Sequence, residues 1–316
     1  MSNSSGNFSC DVVVVGSSNM DMVVRCSELP LPGQTILGSS FAMNPGGKGA
    51  NQAVAAAKLG AKTHLVARLG HDVFAQTSCK SFQENGLGTD FVIMDEAAAS
   101  GVALIYVDDQ GENQIVVAPG ANKLLTPQDV DNALPVIGQA KVMVLQLEIP
   151  IKTVIHAAKI ARQNGTKVVL NPAPVRTLPA ELLANTDIII ANEIETQILT
   201  ESDEIGLHMA VNACKPLFEA GVETVIMTLG SQGALVVSKD GVTRVPGFKI
   251  KAVDTTSAGD TFAGAIASSL SEGKPLEEAV LFANAAAALT ATKVGAQIAM
   301  PSRAEAEAML KNGEPR

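Results

Sequence analysis

Apolar residues along the chain form two kinds of segment, short continuous runs and longer Ala-rich stretches, which follow each other in a regular order. The first run, 12–15, is four valines between Asp11 and Gly16, a pattern typical of a strand buried on both faces. We predict further strands at 63–70, 89–94, 141–147, 167–170, 187–190, 224–228, 234–238 and 242–245, and helices at 50–59, 73–85, 151–164, 206–220, 260–271, 275–292 and 302–311.

The alternation of strands and helices predicts an α/β fold with a doubly wound, mostly parallel central sheet flanked by helices. Residues 11–316 are predicted to form this domain, and the polar segment 1–10 is expected to be a disordered tail. Helix starts are marked by Thr126 before a proline and by Ser302 with Glu305, the spacing of a capping box.

Apolar arms at 101–107 and 113–117 flank a polar turn and predict a hairpin. The first arm is apolar at successive positions, so we expect both of its faces to be covered, by a ligand or by a partner subunit. We predict a small β lid built from about 17–43 and 99–121. Its apolar face and open edge would favour aggregation if left uncovered, so we expect a homodimer through the lid.

Composition narrows the functional classes. The chain has 316 residues, 47% of them apolar, and a net charge of −9, which argues against nucleic acid or an anionic membrane as the main partner. No run of about 18 apolar residues predicts a membrane helix. Four scattered cysteines favour a reducing compartment, and we expect a cytoplasmic protein; four dispersed histidines lack metal-ligand spacing.

Several polar or glycine positions follow predicted strands directly, namely Asp21, Glu148, Asn192 and Gly230. Because ligands of open α/β sheets bind at the carboxyl ends of strands, these positions are expected to meet at one edge. A solvated loop acid remains the alternative reading of Asp21.

A glycine-rich turn, 44–52, leads into the helix predicted at 50–59. It contains neither GxxxxGK[ST] nor GxGxxG, so it is not a Walker A loop or a dinucleotide fingerprint. Glycines around Lys48, with Asn51 one turn into the helix, suggest close approach of a polar ligand. An ordinary glycine turn is the alternative.

The segment 254–260, Asp-Thr-Thr-Ser-Ala-Gly-Asp, places three small residues before an acid at the start of a helix. The first turn of a helix offers free N–H groups and a partial positive charge, which suits an anion. Asp260 beside such a site could take a proton from a group that attacks the anion. Alternatively, Asp260 only complements the helix dipole.

Two stretches, 46–51 and 254–261, resemble the two signatures of the ribokinase/PfkB carbohydrate kinase family, and the resemblance extends in order over essentially the whole chain. It includes 19–21, 146–148, the Asn192-x-x-Glu195 motif and 228–231. The resemblance implies ATP-dependent phosphorylation of D-ribose at its 5-hydroxyl, with Asp260 as general base and the turn 257–260 as an anion hole of Ser257, Ala258, Gly259 and Asp260.

Site residues follow from the same resemblance by matching position. The sugar would be held by Asn19, Met20, Asp21, Gly47, Lys48, Gly49, Ala50, Asn51, Glu148 and Asp260. ATP would be bound at Asn192, Thr228, Leu229, Gly230, Ser231, Gln232, Gly233, Gly259 and Asn284, with Glu195 placing Mg²⁺ through water. An activating K⁺ would be held by oxygens of Asp254, Thr256, Thr290, Lys293 and Gly295, near Ala299.

Two positions depart from the family pattern. Ser257 stands where many relatives carry Gly or Ala, and we expect its side chain to point away from the phosphates. Ala299 stands where the family usually carries a serine hydroxyl near the cation, so either water fills that place or the cation shell loses a ligand. Two other functions remain open: a sister kinase for fructose, a keto-sugar acid or a nucleoside, and a sugar sensor that binds without turnover.

Overall fold

The architecture comes from a computed structural model that describes residues 8–202 and 209–316. Within these ranges the strands are β1 (Val12–Val15), β2 (Asn19–Arg25), β3 (Ser40–Gly46), β4 (Thr63–Gly70), β5 (Gly88–Asp95), β6 (Gly101–Val107), β7 (Asn113–Ala118), β8 (Val142–Leu145), β9 (Lys167–Leu170), β10 (Ile188–Asn192), β11 (Thr224–Thr228), β12 (Ala234–Ser238) and β13 (Gly241–Val245).

Helices connect and cover these strands. They are α1 (Lys48–Lys58), α2 (Val73–Glu84), α3 (Pro127–Asn132), α4 (Leu134–Ile137), α5 (Ile151–Gln163), α6 (Ala180–Leu183), α7 (Glu193–Thr200), α8 (Ala210–Glu219), α9 (Ala258–Ser271), α10 (Leu276–Thr290) and α11 (Arg303–Asn312). None of the helices in the described ranges combines the length and apolar character needed to cross a membrane.

The large sheet has the strand order β13-β12-β11-β10-β9-β8-β1-β4-β5. Strands β5 to β11 of this order pair in parallel, and β12 and β13 add an antiparallel edge. The predicted doubly wound, mostly parallel sheet is therefore confirmed. The four valines of β1 are fully buried because the strand lies inside the sheet and has helices on both faces.

Alternate residues of β1 belong to different layers. Val12 and Val14 pack into a core formed with α1, α9 and α10, whereas Val13 and Val15 pack into a core formed with α3 and α5. A period of two in the strand thus joins two helical layers through one sheet.

Helix α9 packs very closely on α1 at Gly264. A Cβ at this position would come within 2.6 Å of both the Ala55 Cβ and the Gln52 carbonyl oxygen. Glycine therefore allows the two helices to approach, and their first turns lie side by side at the sheet edge.

Strands β3-β2-β6-β7 form a separate small sheet, and the predicted hairpin is confirmed as β6 and β7. In the first arm, β6, only Leu104 is exposed, whereas every residue of the second arm, β7, is exposed within the single chain. That a ligand or a partner subunit covers both faces of β6 stays a prediction. One face lies toward a cavity at the main domain, and the other faces solvent.

Many boundaries differ from the predictions by a few residues, and three segments need comment. The predicted lid segment 17–43 contains β2 and the first part of β3, which continues beyond it to Gly46. Helix α8 begins at Ala210, and residues 206–208 of the predicted helix lie outside the described residues. Of the predicted tail, 1–7 also lies outside them, whereas the Phe8 ring packs 5.8 Å from the His64 ring.

Candidate active site

The carboxyl ends of the parallel strands meet at one edge, as the sequence predicts. Ser17 follows β1, Gln146 follows β8, Asn171 follows β9, and Asn192 and Thr228 end β10 and β11 in direct register. Helices α1 and α9 both begin at this edge, so side chains and helix N-termini converge there.

The glycine-rich turn before α1 approaches the chain's own backbone. Gly47 has φ +87°, and a Cβ there would lie 2.6 Å from the Asn19 nitrogen; a Cβ on Gly49 would lie 2.5 Å from the Ser17 nitrogen. These glycines are therefore required by packing against 17–19, a role that the sequence analysis did not foresee. Gly46 likewise leaves room for the Asp21 carboxylate, which a Cβ would meet at 2.1 Å.

Two side chains that interact with the same segment fix its geometry. Glu148 Oε2 accepts hydrogen bonds from the Ser17 hydroxyl (2.6 Å) and the Lys48 N–H (3.1 Å). Asn122, which the sequence analysis missed, accepts from the Ser18 N–H at 2.8 Å and donates to Asn19 Oδ1 at 2.8 Å. Asn122 is buried, so it holds Asn19 in place from behind. No local pattern in the sequence distinguishes it.

Asp260 lies in the first turn of α9 and is only 8% exposed. Its Oδ2 accepts from Asn51 Nδ2 at 3.0 Å, and its Oδ1 accepts from Gln52 Nε2 at 3.0 Å. The carboxylate is thus held by two neutral donors from α1. Asn51 also accepts from Gln297 Nε2 at 3.1 Å, so its amide is engaged on both sides in this ligand-free chain.

Of the three backbone N–H groups at the start of α9, one is hydrogen-bonded within the chain and two are not. Ala258 N–H donates to the Thr255 carbonyl at 3.2 Å. The N–H groups of Gly259 and Asp260 have no acceptor among the described residues, as expected for the first turn of a helix. They form the positive end of the α9 dipole directly beside the Asp260 carboxylate.

Ser257 adopts the left-handed conformation at φ +60°, which favours glycine and explains why glycine suits this position. Its Oγ accepts a hydrogen bond from Asn51 Nδ2 at 3.0 Å. The side chain therefore contacts the network around Asp260, which the sequence analysis did not anticipate.

A cavity of about 190 Å³ opens at this point. It brings together the Lys48 side chain, the start of α9 and the ends of β9, β10 and β11. The predicted site residues on its wall are Lys48, Asn192, Glu195, Thr228, Ser257, Gly259 and Asp260.

Asn192 and Glu195 form a capping box for α7. Glu195 N–H donates to Asn192 Oδ1 at 2.8 Å, and Asn192 N–H donates to Glu195 Oε2 at 2.9 Å. The motif is therefore explained in part by helix capping. Glu195 Oε1 accepts no hydrogen bond from the described residues and is free to interact with a ligand.

Other residues predicted for the nucleotide do not line this cavity. The segment Leu229, Gly230, Ser231, Gln232 and Gly233 forms a turn between β11 and β12, where Leu229 N–H donates to the Gly233 carbonyl at 2.8 Å. Asn284 is buried and donates to the Pro246 carbonyl at 2.9 Å.

The predicted cation segments lie side by side. Val253 N–H donates to the Ala291 carbonyl at 2.8 Å, and Asp254 Oδ2 accepts from the Gly295 N–H at 3.0 Å. Burial raises the pKa of Asp254, but hydrogen bonds from Thr256 and Gly295 outweigh this effect and hold the pKa below its usual range. The carboxylate is therefore charged at neutral pH.

Three other residues predicted to bind the cation have side chains that contact other groups of this chain. Thr290 donates to the Ala286 carbonyl, Lys293 pairs with Glu305 at 3.1 Å, and Ala299 is buried without a polar atom in its side chain. Lys293 and Ala299 have no oxygen in their side chains, so these two residues could offer a cation only their backbone oxygens. Within the described part of the chain, no cluster of three His, Cys, Asp or Glu residues forms a metal site.

A second, larger cavity of about 420 Å³ lies between the small sheet and the segment 252–256. Asp21 is on its wall. Burial, with the nearby charges of Glu148 and Asp260, raises the pKa of Asp21 to about 7, although Lys48 acts in the opposite direction. Burial lowers the pKa of Lys48, but Asp260 and the other carboxylates outweigh this effect and raise it overall.

Comparisons with known proteins agree with this arrangement. Residues 10–303 match the model of the pfkB family carbohydrate kinases. The chain is 41% identical to a ribokinase of Haemophilus influenzae over 95% of its length and 98% of the relative, and 36% identical to a deoxyribokinase of Salmonella typhi over 92% and 96%. A structure of Arabidopsis thaliana ribokinase with ribose and ATP superposes with a TM-score of 0.88 at 32% identity, covering 96% of this chain and 99% of that one. The fold, the full-length match and the converging strand ends lead to one conclusion: the chain belongs to the pfkB family of carbohydrate kinases.

Proposed function

We propose that this chain is an ATP-dependent ribokinase that phosphorylates D-ribose at O5. The observation that carries the proposal is the position of Asp260, a buried carboxylate beside the free N–H groups of Gly259 and Asp260. Further support comes from the ribokinases at about 40% identity and from the related structure that contains ribose and ATP.

In the proposed reaction, Asp260 accepts the proton of the sugar 5-hydroxyl while O5 forms a bond to the γ-phosphorus. The bond between the γ-phosphorus and the β,γ-bridging oxygen breaks, and ADP leaves. Free N–H groups at the start of α9 stabilise the negative charge of the phosphoryl oxygens, as do the dipole and Lys48 on the same cavity wall. Positioning and charge neutralisation account for most of the catalysis.

Hydroxyl groups of the sugar are proposed to bind Asn19, Asp21, Asn51 and Glu148. Asp21 and Glu148 are acceptors near the catalytic carboxylate, and a site that hydrogen-bonds hydroxyls discriminates well against sugars that lack them. The deoxyribokinase at 36% identity makes 2-deoxyribose a second candidate substrate.

Two ions are proposed to assist. Glu195, with one carboxylate oxygen free, would hold Mg²⁺ through water, and that ion would neutralise charge on the nucleotide phosphates. The charged Asp254 and backbone oxygens of neighbouring segments would hold K⁺, which would stiffen the turn that leads into α9. An all-oxygen donor set fits both ions.

A homodimer through the small sheet is proposed as well. Met43, Met22, Leu104 and Val116 are neighbours in register across its four strands and form an apolar row on the solvent face. Met43 is 54% exposed and Val116 is 63% exposed. A second copy would cover this row.

Four free cysteines support a cytoplasmic location.

A substrate panel tests the proposed activity. ADP release would be measured with ribose, 2-deoxyribose, fructose and adenosine, and the phosphorylated carbon identified by NMR. We expect the highest kcat/KM for ribose and a product phosphorylated at O5. A preference for fructose or adenosine, or binding of ribose without ADP release, would contradict the proposal.

A further inference from the structure

We propose that Gln52 is a positioning residue for the general base, and that it holds one oxygen of Asp260 as part of a set of three hydrogen-bonded amides. Gln52 and Gln146 are fully buried, and Asn171 is partly buried on the wall of the smaller cavity. This inference rests on the proposed role of Asp260. It assigns different roles to the two carboxylate oxygens: Oδ1 is anchored, and Oδ2 takes the proton.

The side-chain amide of Gln52 uses both hydrogens of its nitrogen and one of the two lone pairs of its oxygen in hydrogen bonds. Both Nε2 hydrogens are engaged, one with Asp260 Oδ1 and one with Asn171 Oδ1, each at 3.0 Å. Its Oε1 accepts from Gln146 Nε2 at 2.6 Å. Gln52 and Gln146 are both fully buried, so neither amide exchanges these partners with water.

The orientation of every amide in this set follows from one backbone carbonyl. The Ile190 carbonyl can only accept, so Asn171 turns its Nδ2 toward it, at 2.9 Å. Asn171 Oδ1 therefore faces Gln52, which must present its nitrogen there and to Asp260. Because Ile190 lies on β10, the strand that carries Asn192, the orientation of the base is linked to the nucleotide side of the site.

Stability alone does not account for these amides. Gln146 Oε1 has no hydrogen-bond partner among the described residues. It packs against Gly16, where an added Cβ would come within 2.0 Å of it. A buried polar atom without a partner costs on the order of 1–3 kcal/mol. Apolar side chains at 52 and 146 would avoid that cost, so their presence indicates a role in the site.

The two carboxylate oxygens of Asp260 lie in different surroundings. Oδ1 accepts from Gln52 Nε2, which also donates to Asn171, and so lies on the side of the amide set. Oδ2 shares Asn51 Nδ2 with the Ser257 hydroxyl and so lies on the side of the anion-binding turn. A neutral donor at Oδ1 fixes the plane of the carboxylate without adding a positive charge, which would weaken it as a base.

Replacing Gln52 by glutamate tests the inference. Gln52→Glu has the same shape but places a carboxyl group against Asp260 Oδ1, and two such groups share a proton. We expect kcat at pH 7 to fall roughly 10- to 100-fold and the acidic limb of the kcat–pH profile to move up by about one pH unit or more. KM for ribose and for ATP should stay within about threefold of wild type.

A structural role would give a different result. Asn164→Asp is the control, because it makes the same change of amide to carboxyl at an exposed residue that caps α5 away from the site; its kcat–pH profile should equal that of wild type. If Gln52→Glu does not fold, Gln146→Met tests the inference instead, because it removes the donor to Gln52 Oε1. We expect its kcat to fall about three- to tenfold, with the KM values for ribose and ATP unchanged. A folded variant with wild-type kcat, or a loss of kcat without movement of the acidic limb in Gln52→Glu, would overturn the inference.

An Asp260→Asn arm separates this inference from the proposed function. If Asp260→Asn is inactive and Gln52→Glu has a wild-type profile, only the role of Gln52 is overturned. If Asp260→Asn keeps its activity, the assignment of the base itself is overturned.

Discussion

Gly264 of α9 lies directly against Ala55 of α1, where a Cβ would approach the Ala55 Cβ to 2.6 Å. Because α9 carries Asp260 and α1 carries Asn51 and Gln52, this contact sets the distance between the base and the amides that hold it. We expect Gly264→Ala to cost about 1–3 kcal/mol of unfolding free energy through overpacking and to lower kcat.

Urea unfolding and steady-state kinetics would measure both effects. Gly138→Ala is the control, because its Cβ would meet its nearest neighbour at an ordinary 3.4 Å. It should leave kcat unchanged. Wild-type stability and kcat in Gly264→Ala would show that the helices have room to separate.

Asp21 should make stability depend on pH. Its pKa is raised to about 7 in the folded chain, above the ordinary aspartate value of 3.8, so its contribution to stability is fully present below pH 3.8 and is lost as the pH rises toward 7. We expect the unfolding free energy of wild type, relative to Asp21→Asn, to fall by about 2 kcal/mol between pH 5 and pH 7.5. A difference that stays constant over this range would contradict the raised pKa.

The apolar row on the small sheet predicts dimerisation. Met43→Asp introduces a charge at one end of the row, on the edge strand β3, and we expect it to weaken self-association at least tenfold, as measured by light scattering at micromolar concentration. Val73→Asp, at an exposed apolar position on α2, is the control and should leave association unchanged. A wild-type protein that is monomeric and fully active would exclude the proposed dimer.

Ala299 predicts weak activation by K⁺. Its side chain offers no oxygen, so we expect K⁺ to activate more than Na⁺, and Ala299→Ser to reach half-maximal rate at a several-fold lower KCl concentration. Coupled rates would be measured against KCl at constant ionic strength. Equal rates in K⁺, Na⁺ and a large organic cation would exclude the cation site, whereas identical K⁺ curves for both proteins would exclude only the role of Ala299.

The sequence was sufficient for the sheet, its helices and the edge where Asp260 lies, because these follow from local apolar periodicity and from motifs of fixed spacing. Gln52, Asn122 and Asn171 were beyond its reach. Each acts through partners about 100 or more residues away or on neighbouring strands, and a buried amide has no local signature. Likewise, the reason for Gly47 and Gly49 became visible only when β1 and β2 were placed beside them.

The central claim is that Asp260 takes the proton of the attacking hydroxyl. Asp260→Asn keeps the size of the side chain but removes the base. Asp187→Asn is a control that makes the same change away from the site, at a carboxylate that accepts from the Val168 N–H. The most direct measurement is the single-turnover rate of ADP formation at saturating ribose, with ribose affinity measured separately by calorimetry. We predict that Asp260→Asn lowers the rate roughly 10²- to 10⁴-fold with a much smaller change in ribose affinity, whereas Asp187→Asn keeps the wild-type rate. A folded Asp260→Asn protein that retains more than about a tenth of the wild-type rate would contradict the assignment of Asp260 as the base.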